Sequence, residues 1–141
     1  MRMTKHWMLT LGALVIGATA APIAQGTART VWDGVYSEAQ AARGKAVYDA
    51  QCAFCHQLDL RGQGFAPGLI EDVFANRWQD GNLGDLFTIV KVTMPQDTPA
   101  SLTDQEYAAI VAYLLQANRY PAGQQELHPD PAALKGVVFK K

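Results

Sequence analysis

Cys52-Ala53-Phe54-Cys55-His56 is the stretch that decides the reading of this 141-residue chain. Two cysteines three apart with a histidine directly behind them form the sequence signal for covalent c-type haem attachment. Both thiols would form thioether bonds and the adjacent imidazole would hold the iron. The run uses the only two cysteines in the chain.

Three other fates compete for the same residues. A thioredoxin-like redox pair shares the spacing but expects a βαβ context, and no strand pattern precedes Cys52. A zinc site needs about two further ligands. His56 could supply one, and the other would have to come from His128 or a carboxylate. A plain disulfide is the blandest alternative.

Composition sets the bounds. Hydrophobic residues make up 49% and charged residues 18%, which fits one folded globular domain with a modest core. The formal charge of -1 gives no electrostatic support for a nucleic-acid partner. Residues 1–28 have the layout of a secretory signal peptide: Arg2 and Lys5, then an uncharged apolar run from Trp7 to Ala18, then small residues. Cleavage is expected after Ala20 or Ala28, with Ala28 favoured. An uncleaved membrane anchor is the alternative, against which stand Pro22 and the Ala/Gly/Thr-rich composition. Removal of 1–28 takes two basic residues and no acidic ones. The mature chain then keeps one methionine, Met94, and two histidines, His56 and His128. Export places the two thiols in an oxidising compartment, the periplasm.

Helix signals dominate along the mature chain, so the expected class is all-α. Ser37 before Glu38-Ala39-Gln40-Ala41-Ala42 reads as an N-cap and first turn, opening a helix that runs to about Cys52. A short helix is expected over Glu71 to Trp78. Another follows Asn82, where Leu83, Leu86, Phe87 and Val90 form an apolar stripe; it should stop before Pro95. The strongest begins at Thr103, which forms a capping-box pattern with Glu106. Its stripe is Tyr107, Ile110, Val111, Leu114 and Leu115. The tail after Pro121 reads as an arm laid over the domain or partly mobile.

A second iron ligand must be soft or a nitrogen. Met94 sits in the loop Thr93-Met94-Pro95-Gln96-Asp97 rather than on an apolar stripe, which favours a ligand over core filling. Methionine opposite histidine raises the reduction potential. His128 is the competitor, in a Pro-flanked polar tail. Lys91 reads as solvated, with the capacity to replace Met94 if the loop opened. Arg61 and Arg77 could neutralise haem propionates or simply be exposed. Trp32 and Tyr36 are expected to pin the N-terminal arm by burial. Gly62-x-Gly64-x-x-x-Gly68 has the wrong spacing for a dinucleotide fingerprint and fits a loop folded closely round a porphyrin.

Across about Gln40 to Asn118 the chain resembles the small monohaem cytochrome c family with His/Met ligation. The resemblance rests on Gly44-x-x-x-Tyr48-x-x-x-Cys52, the Cys52–His56 run, Ala66-Pro67-Gly68-Leu69, Met94-Pro95, and Ile110 with Tyr113-Leu114. It implies a single small cytochrome c fold, three to four helices wrapped around one covalent haem. It implies that Gly44 and Tyr48 cross Ile110 and Tyr113, that the Pro67 carbonyl accepts a hydrogen bond from His56, that Leu69 packs on the haem face, and that Trp78 bonds a propionate unless it is simple core. Domain limits follow: 1–28 signal peptide, 29–121 cytochrome domain with an N-terminal arm, 122–141 C-terminal extension.

A narrower resemblance, carried by Val31-Trp32-Asp33-Gly34-Val35-Tyr36, Leu83-Gly84-Asp85-Leu86-Phe87 and Tyr120-Pro121-Ala122-Gly123, is to cytochrome domains associated with quinoprotein (pyrroloquinoline quinone, PQQ) alcohol dehydrogenases. The implied function is a periplasmic one-electron carrier between a dehydrogenase and a terminal oxidase or other cytochrome. The alternative is a cytochrome subunit tightly held by a PQQ-dependent alcohol dehydrogenase. Neither is an enzyme in its own right. A haem peroxidase or gas sensor would need an open or labile Met94 site. Because short helices bury little alone, haem-free protein is expected to be largely unfolded.

Overall fold

The computed structural model describes residues 29–140; the expected signal segment lies outside them. Six helices and one strand pair follow in the order β1 (Arg29–Thr30), α1 (Glu38–Gln51), α2 (Ala53–His56), α3 (Glu71–Trp78), α4 (Leu83–Thr93), α5 (Asp104–Ala117), α6 (Pro131–Leu134) and β2 (Val137–Val138). The fold is all-α in class. The four longer helices are those the sequence pattern predicts, and α2 and α6 are additional single turns. β1 and β2 pair in parallel, Arg29 with Val137 and Thr30 with Val138.

The helix starts follow from local chemistry. The Ser37 hydroxyl accepts from the Gln40 amide at 3.1 Å, and the Asn82 side chain accepts from the Asp85 amide at 2.9 Å. At α5 the capping box is complete: Thr103 Oγ1 accepts from the Glu106 amide at 3.3 Å and the Glu106 carboxylate accepts from the Thr103 amide at 2.8 Å. Each such bond satisfies a backbone donor that a helix end otherwise leaves unpaired. α4 ends at Met94, whose backbone is extended, because Pro95 disfavours the helical conformation in the residue before it.

The centre of the fold is the crossing of α1 and α5. A Cβ on Gly44 would stand 1.8 Å from the Ala109 carbonyl oxygen, so only glycine lets the two backbones come this close. One turn along, the rings of Tyr48 and Tyr113 meet at 5.2 Å between centroids. Val111 and Leu115 are fully buried, each contributing on the order of 1.5–3 kcal/mol relative to exposure.

The chain beyond Pro121 is built into the fold. The Gly123 amide donates to the Tyr36 carbonyl at 2.7 Å. The buried Gln40 amide clasps Leu127 from both sides, Nε2 to its carbonyl at 2.9 Å and Oε1 from its N–H at 2.7 Å. Phe139 then packs among Phe74, Trp78 and Tyr120, with centroids 5.8, 6.1 and 5.8 Å away.

Candidate haem-binding site

The site grows from the junction of α1 and α2. Cys52 caps α1, its amide donating to Tyr48 O at 2.8 Å, and its own carbonyl accepts from the amides of Cys55 at 3.2 Å and His56 at 3.0 Å. The turn thus presents two cysteines three residues apart, the spacing that makes neighbours on a helix surface. The two form no disulfide; Cys52 is half-buried and Cys55 exposed. Burial first, and the neighbouring Cys55 second, push the Cys52 thiol up to about 11.

His56 is buried, and its Nδ1 lies 2.9 Å from the Pro67 carbonyl. A carbonyl can only accept, so Nδ1 carries the proton and Nε2 keeps its lone pair. This is the arrangement that orients a metal-binding imidazole.

The loop that brings Pro67 back is closed by main-chain bonds: Gly62 N to His56 O at 3.0 Å, and Leu69 N to Leu60 O at 2.7 Å. Gly62 is required in it, because φ is +72° and a Cβ would stand 2.2 Å from Ala66 O. The Tyr48 hydroxyl donates to Gln57 O at 2.8 Å. At the far end Asn118 Nδ2 donates to Leu69 O at 2.9 Å and to Leu114 O at 2.9 Å, while its Oδ1 accepts from the Glu71 amide at 3.1 Å. Leu69 is thereby anchored to α5.

Met94 stands on a separate element. It caps α4, its amide donating to Val90 O at 3.0 Å, and its side chain is half-buried. Its carbonyl accepts from the hydroxyl of Tyr107 in α5 at 2.8 Å. Lys91, read as solvated, instead pairs with Asp104 at 2.6 Å, because the last turn of α4 meets the first turn of α5.

The other expected residues fall as follows. Arg61 forms a two-pronged pair with Glu71, at 3.0 and 2.7 Å. Arg77 lies over the Trp78 ring at 5.4 Å, and Trp78 is buried beside Phe139. Tyr36 is buried and donates to Tyr120 O at 2.7 Å, whereas Trp32 is 39% exposed and meets the edge of Tyr120 at 4.9 Å. His128 is exposed. Among the described residues no group of three or more His, Cys, Asp or Glu side chains is placed to hold a metal ion, so the zinc alternative lacks its further ligands. Sequence reasoning missed Tyr107 as a partner of Met94, Asn118 as the anchor of Leu69, and Gln40 as the clasp of the C-terminal segment.

Residues 39–114, more than half of the chain, match the family model of cytochrome c oxidase, cbb3-type, subunit III. The chain belongs to that family. It is therefore a cytochrome c domain that carries a covalently bound c-type haem with iron and takes part in electron transfer. Its fold is similar to a chain in the crystal structure of the sulfane dehydrogenase SoxCD from Paracoccus pantotrophus, with a TM-score of 0.50 and 22% identity over 90% of this chain and 68% of that one. No curated protein matches.

The residues of this cytochrome domain fit the group. The donor set offers two cysteines on one turn and an imidazole whose Nε2 is left free by the Pro67 contact. No helix among the described residues is long and apolar enough to cross a membrane.

Proposed function

We propose that this domain is an exported, periplasmic one-electron carrier, with Cys52 and Cys55 as the thioether anchors and His56 and Met94 as the axial iron ligands. The haem supplies the ferric/ferrous couple. His56 and Met94 would each hold the iron, leaving no position open to oxygen or peroxide. The observation that carries this reading is the His56–Pro67 contact, which fixes the tautomer that an iron ligand needs. Leu69, anchored by Asn118, packs on the haem face. Trp78 serves the aromatic core with Phe139 and is also the candidate for a propionate contact.

The donor in this reading is a dehydrogenase and the acceptor a terminal oxidase or another cytochrome. Phe54 and Phe65 stand exposed, at 88% and 107%, beside the haem-binding turn. Gln63 Nε2, two residues before Phe65, donates to the Phe54 carbonyl at 3.2 Å. These exposed rings are the proposed docking positions, and electron-transfer contacts are small, under ~1,200 Å². The same positions favour a second reading, a subunit held by a dehydrogenase, including a PQQ-dependent alcohol dehydrogenase.

An exported protein with the mass of one added haem and loss of residues 1–28, a methionine–iron band in the ferric spectrum, and no carbon monoxide binding when reduced is the expected result. Retention of residues 1–28 would instead make it membrane-anchored. Co-elution with a dehydrogenase through gel filtration would select the subunit over the free carrier.

A further inference from the structure

From the loop that bears Met94 we infer that Tyr107 is a positioning residue for that ligand, its hydroxyl stapling the loop shut against α5; this rests on the reading of Met94 as an axial ligand. The hydroxyl does two things at once. It donates to the Met94 carbonyl at 2.8 Å and accepts from the Leu102 amide at 3.4 Å. Met94 opens the segment that joins α4 to α5 and Leu102 lies next to its last residue, so one phenol oxygen holds the segment near both ends. Tyr107 is itself fully buried, so water has no ready access to replace that oxygen. The Lys91–Asp104 pair, 2.6 Å long and partly exposed, ties the same two helices together from outside.

Removing the phenol oxygen leaves a carbonyl and an N–H unpaired, and these are satisfied by turning the loop towards water. That movement carries the Met94 backbone away, and the thioether with it. Tyr48 provides a matched control. It is equally buried and also donates to a backbone carbonyl, at 2.8 Å, but on the His56 side.

The test uses full-length, haem-loaded protein in four forms: parent, Tyr107→Phe, Tyr48→Phe and Met94→Ala. Carbon monoxide binding to the reduced protein reports loop opening, and the ferric methionine–iron band reports the ligand. Tyr107→Phe is expected to bind carbon monoxide about thirtyfold faster than parent, the change in open population that two lost hydrogen bonds produce, with a weakened band. Tyr48→Phe is expected to melt earlier while both readouts stay at parent values. If Tyr107→Phe matches Tyr48→Phe in band and binding rate while Met94→Ala abolishes the band, the inference is overturned and the Met94 reading stands. If Met94→Ala leaves the parent spectrum unchanged, both fall. Should Tyr107→Phe yield no haem-loaded protein, amide hydrogen exchange of the parent decides: a Leu102 N–H protected from exchange supports the latch and its free exchange overturns it.

Discussion

The two sides of the proposed iron centre are held in different ways. On the His56 side the ring itself is gripped, by the Pro67 carbonyl at 2.9 Å, and the loop behind it is closed at His56 O, Gln57 O and Leu60 O. In the proposed reading Cys52 and Cys55 would anchor the haem on this same side. On the Met94 side the hydrogen bonds hold the backbone, through Tyr107 and the end of α4. A ligand oriented through its own ring keeps its direction when the loop breathes, whereas one carried by a held carbonyl moves with the loop. On the proposed reading the centre would pair a fixed side with a releasable one, and perturbations should separate them.

The largest effect is expected where both sides are lost together. Cys52→Ser with Cys55→Ser removes the covalent anchors, and the haem-free chain should lose most of its helical circular dichroism and its cooperative melt. A native-like signal and melting curve would show that the α1–α5 core stands without the group. Next comes Gly44→Ala. The added methyl meets the Ala109 backbone at 1.8 Å, and backbone cannot yield as a flexible side chain does. Because α1 leads into the motif and α5 carries Tyr107, forcing them apart should disturb both sides at a cost of about 3 kcal/mol. Denaturant unfolding measures it, and a loss below about 1 kcal/mol would mean the helices slide freely.

Met94→Ala sharpens the contrast by touching one side only. The reduction potential should fall, since methionine ligation raises it, the methionine–iron band should vanish, and the Cys52, Cys55 and His56 attachment should persist. An unchanged potential would place the sixth ligand elsewhere.

Both sides were only partly legible in the sequence, for a physical reason. What is local could be read. Ser37, Asn82 and Thr103 with Glu106 announce helix starts because each cap closes within three residues, and the Cys52–His56 spacing is dictated by covalent chemistry. The close approach at Gly44 also followed, through the resemblance. What is long-range could not be read. Gln40 and Leu127, or Tyr36 and Tyr120, meet across more than eighty residues, and no periodicity encodes such a clasp. For Arg61 the sequence does not separate a propionate from solvent, because its partner Glu71 stands on the far side of a loop. For Tyr107 the stripe predicts a buried ring, but where its hydroxyl points depends on how the Met94 loop returns.

The smallest effect tests whether the releasable side answers to acid through α5. The Thr103 backbone N–H, and then its hydroxyl, hold the Glu106 carboxyl below its ordinary value of 4.5. A depressed folded value means that its contribution is fully present above the ordinary value and is lost as pH falls through the lower, folded one. Protonation therefore loosens the first turn of α5, one residue before Tyr107. Glu106→Gln keeps a side-chain oxygen for the cap but cannot titrate, and it leaves the Lys91–Asp104 pair untouched. In acid titrations from neutral pH to below 4, parent protein should lose melting temperature and methionine–iron band more steeply than Glu106→Gln, with the His56 side retained in both. Superimposable curves would separate the α5 cap from the Met94 loop, and the two sides would then have to differ for reasons that lie wholly within the loop itself.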